Sequence, residues 1–141
     1  MDIYFAGSIR GGRSDVELYA TLIETLAEHG TVLTEHVGAA DVQENEQQAG
    51  MTDAEIHDQD LAWLREADAV VAEVTTPSLG VGYEIGRAVA WETPVLGLYR
   101  PDGEHTLSAM ARGNDAVEVL EYRDPAEIEA DLAAFLDRHR P

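Results

Sequence analysis

Cysteine is absent from this chain, and so is lysine. Without thiols there is no disulfide, no thiolate nucleophile and no Cys-based metal site. Zinc would have to rely on the five histidines and the carboxylates, and His36, His57 and His105 show no ligand spacing. Neither a metal nor a cofactor is expected. No apolar run is long enough to cross a bilayer, and the first residues lack a basic region and a cleavage site. A soluble, cytoplasmic protein is the expectation. Repeats and linkers are missing too, so residues 1–141 are expected to form one α/β domain, and 45% hydrophobic content suffices for a real core.

What the chain has in excess is negative charge. Asp and Glu number 28 against 9 basic residues, all Arg, for a net charge of −19. Such a surface repels nucleic acid polymers and anionic membranes, which argues against either as a partner. The acidic residues alternate with periodic apolar ones, so the composition does not signal disorder. It suits a salt-saturated cytoplasm, where ions screen the self-repulsion. The charge therefore reads as halophilic adaptation and not as a binding function.

The apolar periodicity predicts strands at Asp2–Ala6, Thr31–Glu35, Ala69–Val74, Pro94–Tyr99 and Ala116–Tyr122. Helices are expected from about Ser14 to His29, from Thr52 to about Ala67, over Gly80–Trp91 and from Pro125 onward. Tyr19, Leu22, Ile23 and Leu26 form the core face of the first helix, with Gly30 closing it. Thr52-x-x-Glu55 is a capping box, and Asp124 caps the last helix, whose Ile128, Leu132, Phe135 and Leu136 face the core. The polar stretch Gly38–Gly50 reads as a mobile loop or lid. Alternating strands and helices imply right-handed crossovers and a doubly wound (Rossmann- or flavodoxin-like) five-stranded parallel sheet with helices on both faces. Ligands of such folds bind beyond the carboxyl ends of the strands, at the switch in strand order.

Two glycine-containing turns fall at that edge. After the first strand comes Gly7-Ser8-Ile9-Arg10-Gly11-Gly12-Arg13. Glycines there leave room for a ligand to approach the backbone, and Arg10 or Arg13 can pair with a phosphate. A plain tight turn explains the glycines equally well. After the third strand, Ser78-Leu79-Gly80-Val81-Gly82-Tyr83-Glu84 opens a helix. The helix dipole should favour an ionised Glu84, which suits a nucleophile or an anchor for a ribose or a cation; a solvated Glu favouring the helix start is the plainer account. In the preceding helix Asp60 shares an apolar stripe with Ile56, Trp63 and Leu64. It is either a structural partner of an Arg or a general acid or base whose pKa desolvation has raised.

These segments are also familiar as a set. Tyr4-Phe5-Ala6-Gly7-Ser8-Ile9-Arg10-Gly11-Gly12-Arg13, Gly30-Thr31-Val32-Leu33-Thr34-Glu35-His36-Val37 and Ile56-His57-x-Gln59-Asp60-Leu61-x-Trp63-Leu64 resemble the 2′-deoxynucleoside 5′-phosphate N-hydrolases. So do Ala72-Glu73-Val74-Thr75-x-Pro77-Ser78-Leu79-Gly80-Val81-Gly82-Tyr83-Glu84 and Leu107-Ser108-Ala109-Met110-x-Arg112-Gly113. Those enzymes belong to the nucleoside 2-deoxyribosyltransferase superfamily, and the likeness runs from about Ile3 to Gly113. It implies cleavage of the N-glycosidic bond of a nucleoside 5′-monophosphate without a cofactor. By the same resemblance Glu84 is the nucleophile, Asp60 the proton donor and Tyr4 the residue that orients Glu84. Gly7, Ser8, Ile9, Arg10, Gly11, Ser78 and Gly80 are expected to line the sugar-phosphate pocket, with Ile56 and His36 as walls for the base. Ser108 and Met110 are expected to come from a partner subunit, which makes the protein a homodimer. Ala6 departs from the cysteine of the relatives, at the pocket edge.

Two other functions compete. A deoxyribosyltransferase exchanges bases between unphosphorylated nucleosides and lacks the Gly-Ser-Ile-Arg-Gly-Gly loop. A non-catalytic nucleotide-binding module gives no reason for Glu84, Asp60 and Tyr4 to occur together. Phosphoribohydrolases use a Pro-Gly-Gly-x-Gly-Thr motif that this chain lacks.

Overall fold

The computed structural model describes residues 1–8, 15–34, 37 and 50–141. Its five strands are β1 (Asp2–Ala6), β2 (Thr31–Val32), β3 (Ala69–Glu73), β4 (Val95–Tyr99) and β5 (Val117–Glu121). All pair in parallel, in the order β2-β1-β3-β4-β5. The helices are α1 (Val16–Ala27), α2 (Asp53–Glu66), α3 (Leu79–Ala90), the short α4 (Ala109–Arg112) and α5 (Glu129–Arg138), the last entered through a 3-10 turn at Pro125–Ile128. The doubly wound expectation holds, and the order reverses between β1 and β3, where each strand hands the chain to a turn at the carboxyl edge.

The period of two in the strands divides the core. Ile3 and Phe5 of β1, with Ala69 and Val71 of β3, pack against α1 and α5 through Tyr19, Leu22, Leu26, Leu132, Phe135 and Leu136. Tyr4 and Ala6, with Val70 and Ala72, face the other way, against Leu64 of α2 and Val81, Ile85 and Ala88 of α3. Each fully buried Leu or Phe contributes about 1.5–3 kcal/mol relative to exposure. The expected inward faces of α1 and α5 are therefore the observed ones. Alternation also puts Tyr4 under α2 and α3, which matters below.

Several boundaries and reasons differ from the sequence reading. Strand β2 pairs over only two residues, and Glu35 lies outside the described residues, as does nearly all of the polar stretch, 38–49. Ser108 sits at the start of a helix, not in a plain loop, and caps it by accepting from the N–H of Met110 at 3.2 Å. Gly30 does not close α1 by a left-handed turn. A Cβ there would stand 2.4 Å from the carbonyl oxygen of Met1, so glycine is required by the close pass of the chain beside β1. At α2 Thr52 does cap, accepting from the N–H of Glu55 at 3.2 Å.

Candidate active site

Tyr4, Glu84 and Asp60 converge from three elements. Tyr4 projects from β1 beneath α2 and α3, only 2% of its surface exposed, and its hydroxyl donates to Oε1 of Glu84 at 2.8 Å. Glu84 is half-buried in the second turn of α3, whose start is fixed by Ser78, the side chain of which accepts from the N–H of Val81 at 3.3 Å. Asp60 is half-buried on α2, which packs on both β1 and α3. Its charge reaches the other two, helping to raise the pKa of each.

The dipole argument for Glu84 fails here. Its pKa is pushed up to about 7, chiefly by burial and further by Asp60, while the Tyr4 hydrogen bond pulls it back. Desolvation near an apolar core outweighs a dipole effect that fades within the first turn. The Tyr4 hydroxyl is driven above its ordinary range by burial and then by the charges of Glu84 and Asp60, so it stays a donor. A carboxylate that titrates near neutrality, held by a buried phenol and facing a second carboxylate, is equipped for nucleophilic or acid–base work.

Around this centre, Gly80 leaves open space: among the described residues a Cβ there would meet only Ser78 Oγ, at 3.9 Å. Ile56 is half-buried one turn before Asp60. Beside it His57 and Tyr83 link α2 to α3, with Nε2 and the phenol oxygen 3.1 Å apart. At the end of β1, Ser8 is fully buried, and its Oγ has no hydrogen-bond partner among the described residues. Ile9, Arg10, Gly11 and His36 lie outside the described residues. Gly7 has a different reason from the one its position suggests. A Cβ would stand 2.9 Å from the Tyr19 ring, whose hydroxyl accepts the Ser8 N–H at 3.2 Å. Glycine there admits the tyrosine that supports the turn from the core.

Ser108 and Met110 do not join the Glu84 group within the chain. With Ser78, Leu79, Gly82 and Tyr83 they line a cleft of about 650 Å³, whose lining includes none of Tyr4, Asp60 and Glu84. At 100° per residue, Gly82 and Gly86 lie almost opposite Glu84 around α3. Leu79 is 94% exposed on this side and Met110 83%. Asp102, Glu104 and His105 place ligand atoms within 4.8 Å of one another after β4. Asp102 already accepts from the N–H groups of Glu104 and His105 and from the His105 ring, so a local turn accounts for that cluster.

Sequence reasoning missed a second polar group, on the other face of the sheet. Glu73 ends β3 with 1% exposure; its oxygens accept from the N–H of Thr75 at 2.7 Å and from the hydroxyl of Tyr122. The signal was a lone carboxylate in an otherwise apolar strand.

Comparison with known proteins matches residues 3–126 to the nucleoside 2-deoxyribosyltransferase family. The human 5-hydroxymethyl-dUMP N-hydrolase is 50% identical over 97% of this chain and 78% of its own length. The Tetraodon nigroviridis protein of the same name is 49% identical over 99% of this chain and all of its own. The solution structure of BlsM superposes with a TM-score of 0.72 at 26% identity, covering 97% of this chain and 92% of BlsM. The chain belongs to the nucleoside 2-deoxyribosyltransferase family.

Proposed function

We propose that this protein hydrolyses the N-glycosidic bond of 2′-deoxynucleoside 5′-monophosphates, releasing free base and 2-deoxyribose 5-phosphate. The observation that carries the reading is the Tyr4–Glu84 hydrogen bond within the electrostatic reach of Asp60, in a chain half identical to N-hydrolases of a nucleoside monophosphate. With Oε1 of Glu84 held by Tyr4, Oε2 attacks C1′. The C1′–N bond breaks, its electron pair passes to the base nitrogen, and Asp60 delivers the proton that the leaving base needs. Water then attacks C1′ of the glycosyl ester, gives its proton to Asp60 and frees Glu84, the two-step course of a retaining glycosidase.

Gly7, Ser8, Ser78 and Gly80 take the sugar-phosphate end, together with Ile9, Arg10 and Gly11. The hydroxyl of Ser8, without a hydrogen-bond partner among the described residues, and the space that those residues leave open at Gly80 support that assignment. Ile56 and His36 flank the base. The same reading makes the protein a homodimer. A second copy seated on the exposed Leu79, Tyr83 and Met110 brings its own Ser108 and Met110 to the first copy's nucleotide. Gly82 and Gly86, where a Cβ would meet nothing within 4 Å among the described residues outside α3's own backbone, let that copy approach α3 closely. The acidic, lysine-free surface fits a salt-rich cytoplasm.

The test is to incubate the protein in molar salt with ribo- and deoxyribonucleoside monophosphates, including 5-hydroxymethyl-dUMP, and to follow free base by chromatography. Release of base from at least one deoxynucleoside monophosphate is expected, and none from any of them overturns the reading. Incubating an unphosphorylated deoxynucleoside with a second free base distinguishes transfer, the activity in the family's description, through the appearance of a new nucleoside.

A further inference from the structure

We propose that Arg100 is a positioning residue for the sugar-phosphate end of the pocket, tying the start of α1 to the β3–α3 turn from the face of the sheet opposite Glu84. The proposal rests on the nucleotide reading above. It begins with strand alternation: Ala69 and Val71 face the α1/α5 core, so Glu73, the next residue on that side, is committed to it as well. A buried carboxylate is tolerated only when charge and hydrogen bonds compensate it. Thr75 N–H and the Tyr122 hydroxyl occupy its two oxygens, and Nε of Arg100 stands 4.0 Å from Oε2.

Arg100 does more than neutralise Glu73. Its Nη2 lies 2.8 Å from Oδ1 of Asp15, and its backbone N–H donates to Oγ1 of Thr75 at 2.9 Å. Thr76 reaches the other Asp15 oxygen at 3.5 Å. Asp15 is where the chain enters α1, and Thr75 and Thr76 open the turn that ends in Ser78, the cap of α3. The guanidinium thus joins Asp15 to Glu73, and Thr75, Thr76 and Tyr122 attach to the same group through the Arg100 backbone N–H, Asp15 and Glu73, just beneath the edge where β1 and β3 deliver Ser8 and Ser78. The Arg100–Asp15 pair is only partly exposed, at 28% and 19% of the side-chain surfaces, so water and salt weaken it less than a surface pair. The buried Glu73 carboxylate that anchors this strut lies on the α1/α5 face of the sheet, and neither Arg100 nor Asp15 has a hydrogen bond or ion pair with Tyr4, Asp60 or Glu84 among the described residues. The role of the strut is therefore to hold ligand-binding turns in register, and it takes no part in bond breaking.

That division predicts a split in the kinetics. Arg100→Met should raise KM for a deoxynucleoside monophosphate about tenfold with kcat within about twofold, because binding geometry is lost and the reacting group is not. The inhibition constant of 2-deoxyribose 5-phosphate should rise in parallel. Arg100→Lys, which keeps the charge but not the fork, should recover part of the loss. Asp15→Asn should act in the same direction, and the double variant should be no worse than Arg100→Met, since both changes remove one contact. A fall in kcat at unchanged KM, or independent multiplication of the two effects, would overturn the strut. If Arg100→Met fails to fold, Asp15→Asn and Arg100→Lys carry the same KM test. Wild-type protein that releases no base removes the nucleotide reading and the strut together; active wild type with an unaffected Asp15→Asn removes the strut alone.

Discussion

Replacing Glu84 with Gln sets stability against activity in a way the site geometry makes quantitative. The folded carboxyl group ionises at about 7 instead of its ordinary 4.5, because burial and Asp60 oppose its charge more than Tyr4 supports it. Between those two values the folded state binds more protons than the unfolded one. Native stability therefore falls as pH rises from about 4.5 to 7, and the full penalty persists above that window. At about 1.4 kcal/mol per pH unit, the ionised side chain costs the fold about 3 kcal/mol at pH 8.5. Glutamine is nearly isosteric, keeps an oxygen to accept the Tyr4 hydroxyl, and carries no charge. The variant should thus gain about 2–3 kcal/mol at pH 8.5, and the gain should largely vanish near pH 4.5. For a chain of this size each kcal/mol moves the melting temperature by about 3 °C, so a rise of about 8 °C is expected at the higher pH. Turnover should be abolished with nucleotide binding kept, since an amide is a very poor nucleophile. Thermal melts of both proteins at the two pH values, in molar salt, decide the matter. Equal stability of variant and wild type across the range would refute the desolvated carboxylate, and near-normal turnover would remove Glu84 from the mechanism.

Tyr4→Phe removes the hydrogen bond that lowers the Glu84 pKa, so the acid limb of the kcat/KM profile should move to higher pH; an unmoved limb would mean that the limb reports another group. Asp60→Asn removes a charge that raises the same pKa, so the limb should move the other way, while turnover falls by about 10²–10⁴ if Asp60 is the proton donor. A p-nitrophenol leaving group should partly rescue that variant, and equal losses with both substrates would disprove the donor role. Mixing Ser108→Ala with Glu84→Gln, each inactive alone and able to exchange subunits, should restore activity if Ser108 serves the partner's site. A mixture no more active than its parts would place Ser108 elsewhere. If two copies pair as proposed, sedimentation should show that association weakening as salt is withdrawn, because both carry the same strong negative charge.

What the sequence made legible follows from which features are local and periodic. The apolar stripes of α1 and α5, the cap at Thr52 and the apolar run of β3 each depend on residues close in the chain, and each predicted its element. Parallel order then carried both glycine turns to one edge, so the meeting of Tyr4, Asp60 and Glu84 was foreseeable in outline. Their electrostatics were not. The first-turn dipole could be read from position, but the larger opposing effect arises from packing against Tyr4 and from Asp60, 24 residues earlier in the chain. Glycine roles escaped for the same reason: Gly7 and Gly30 answer to Tyr19 and to the Met1 carbonyl, contacts that only the folded chain creates. Glu73 is the sharpest case. In sequence it is one acid among 28, yet its strand position sends it into the core and obliges Tyr122 and Arg100, from two other strand ends, to meet it. A charge that costs stability when buried persists where several loops must share one fixed point, and here that point lies beneath the turns expected to hold the phosphate.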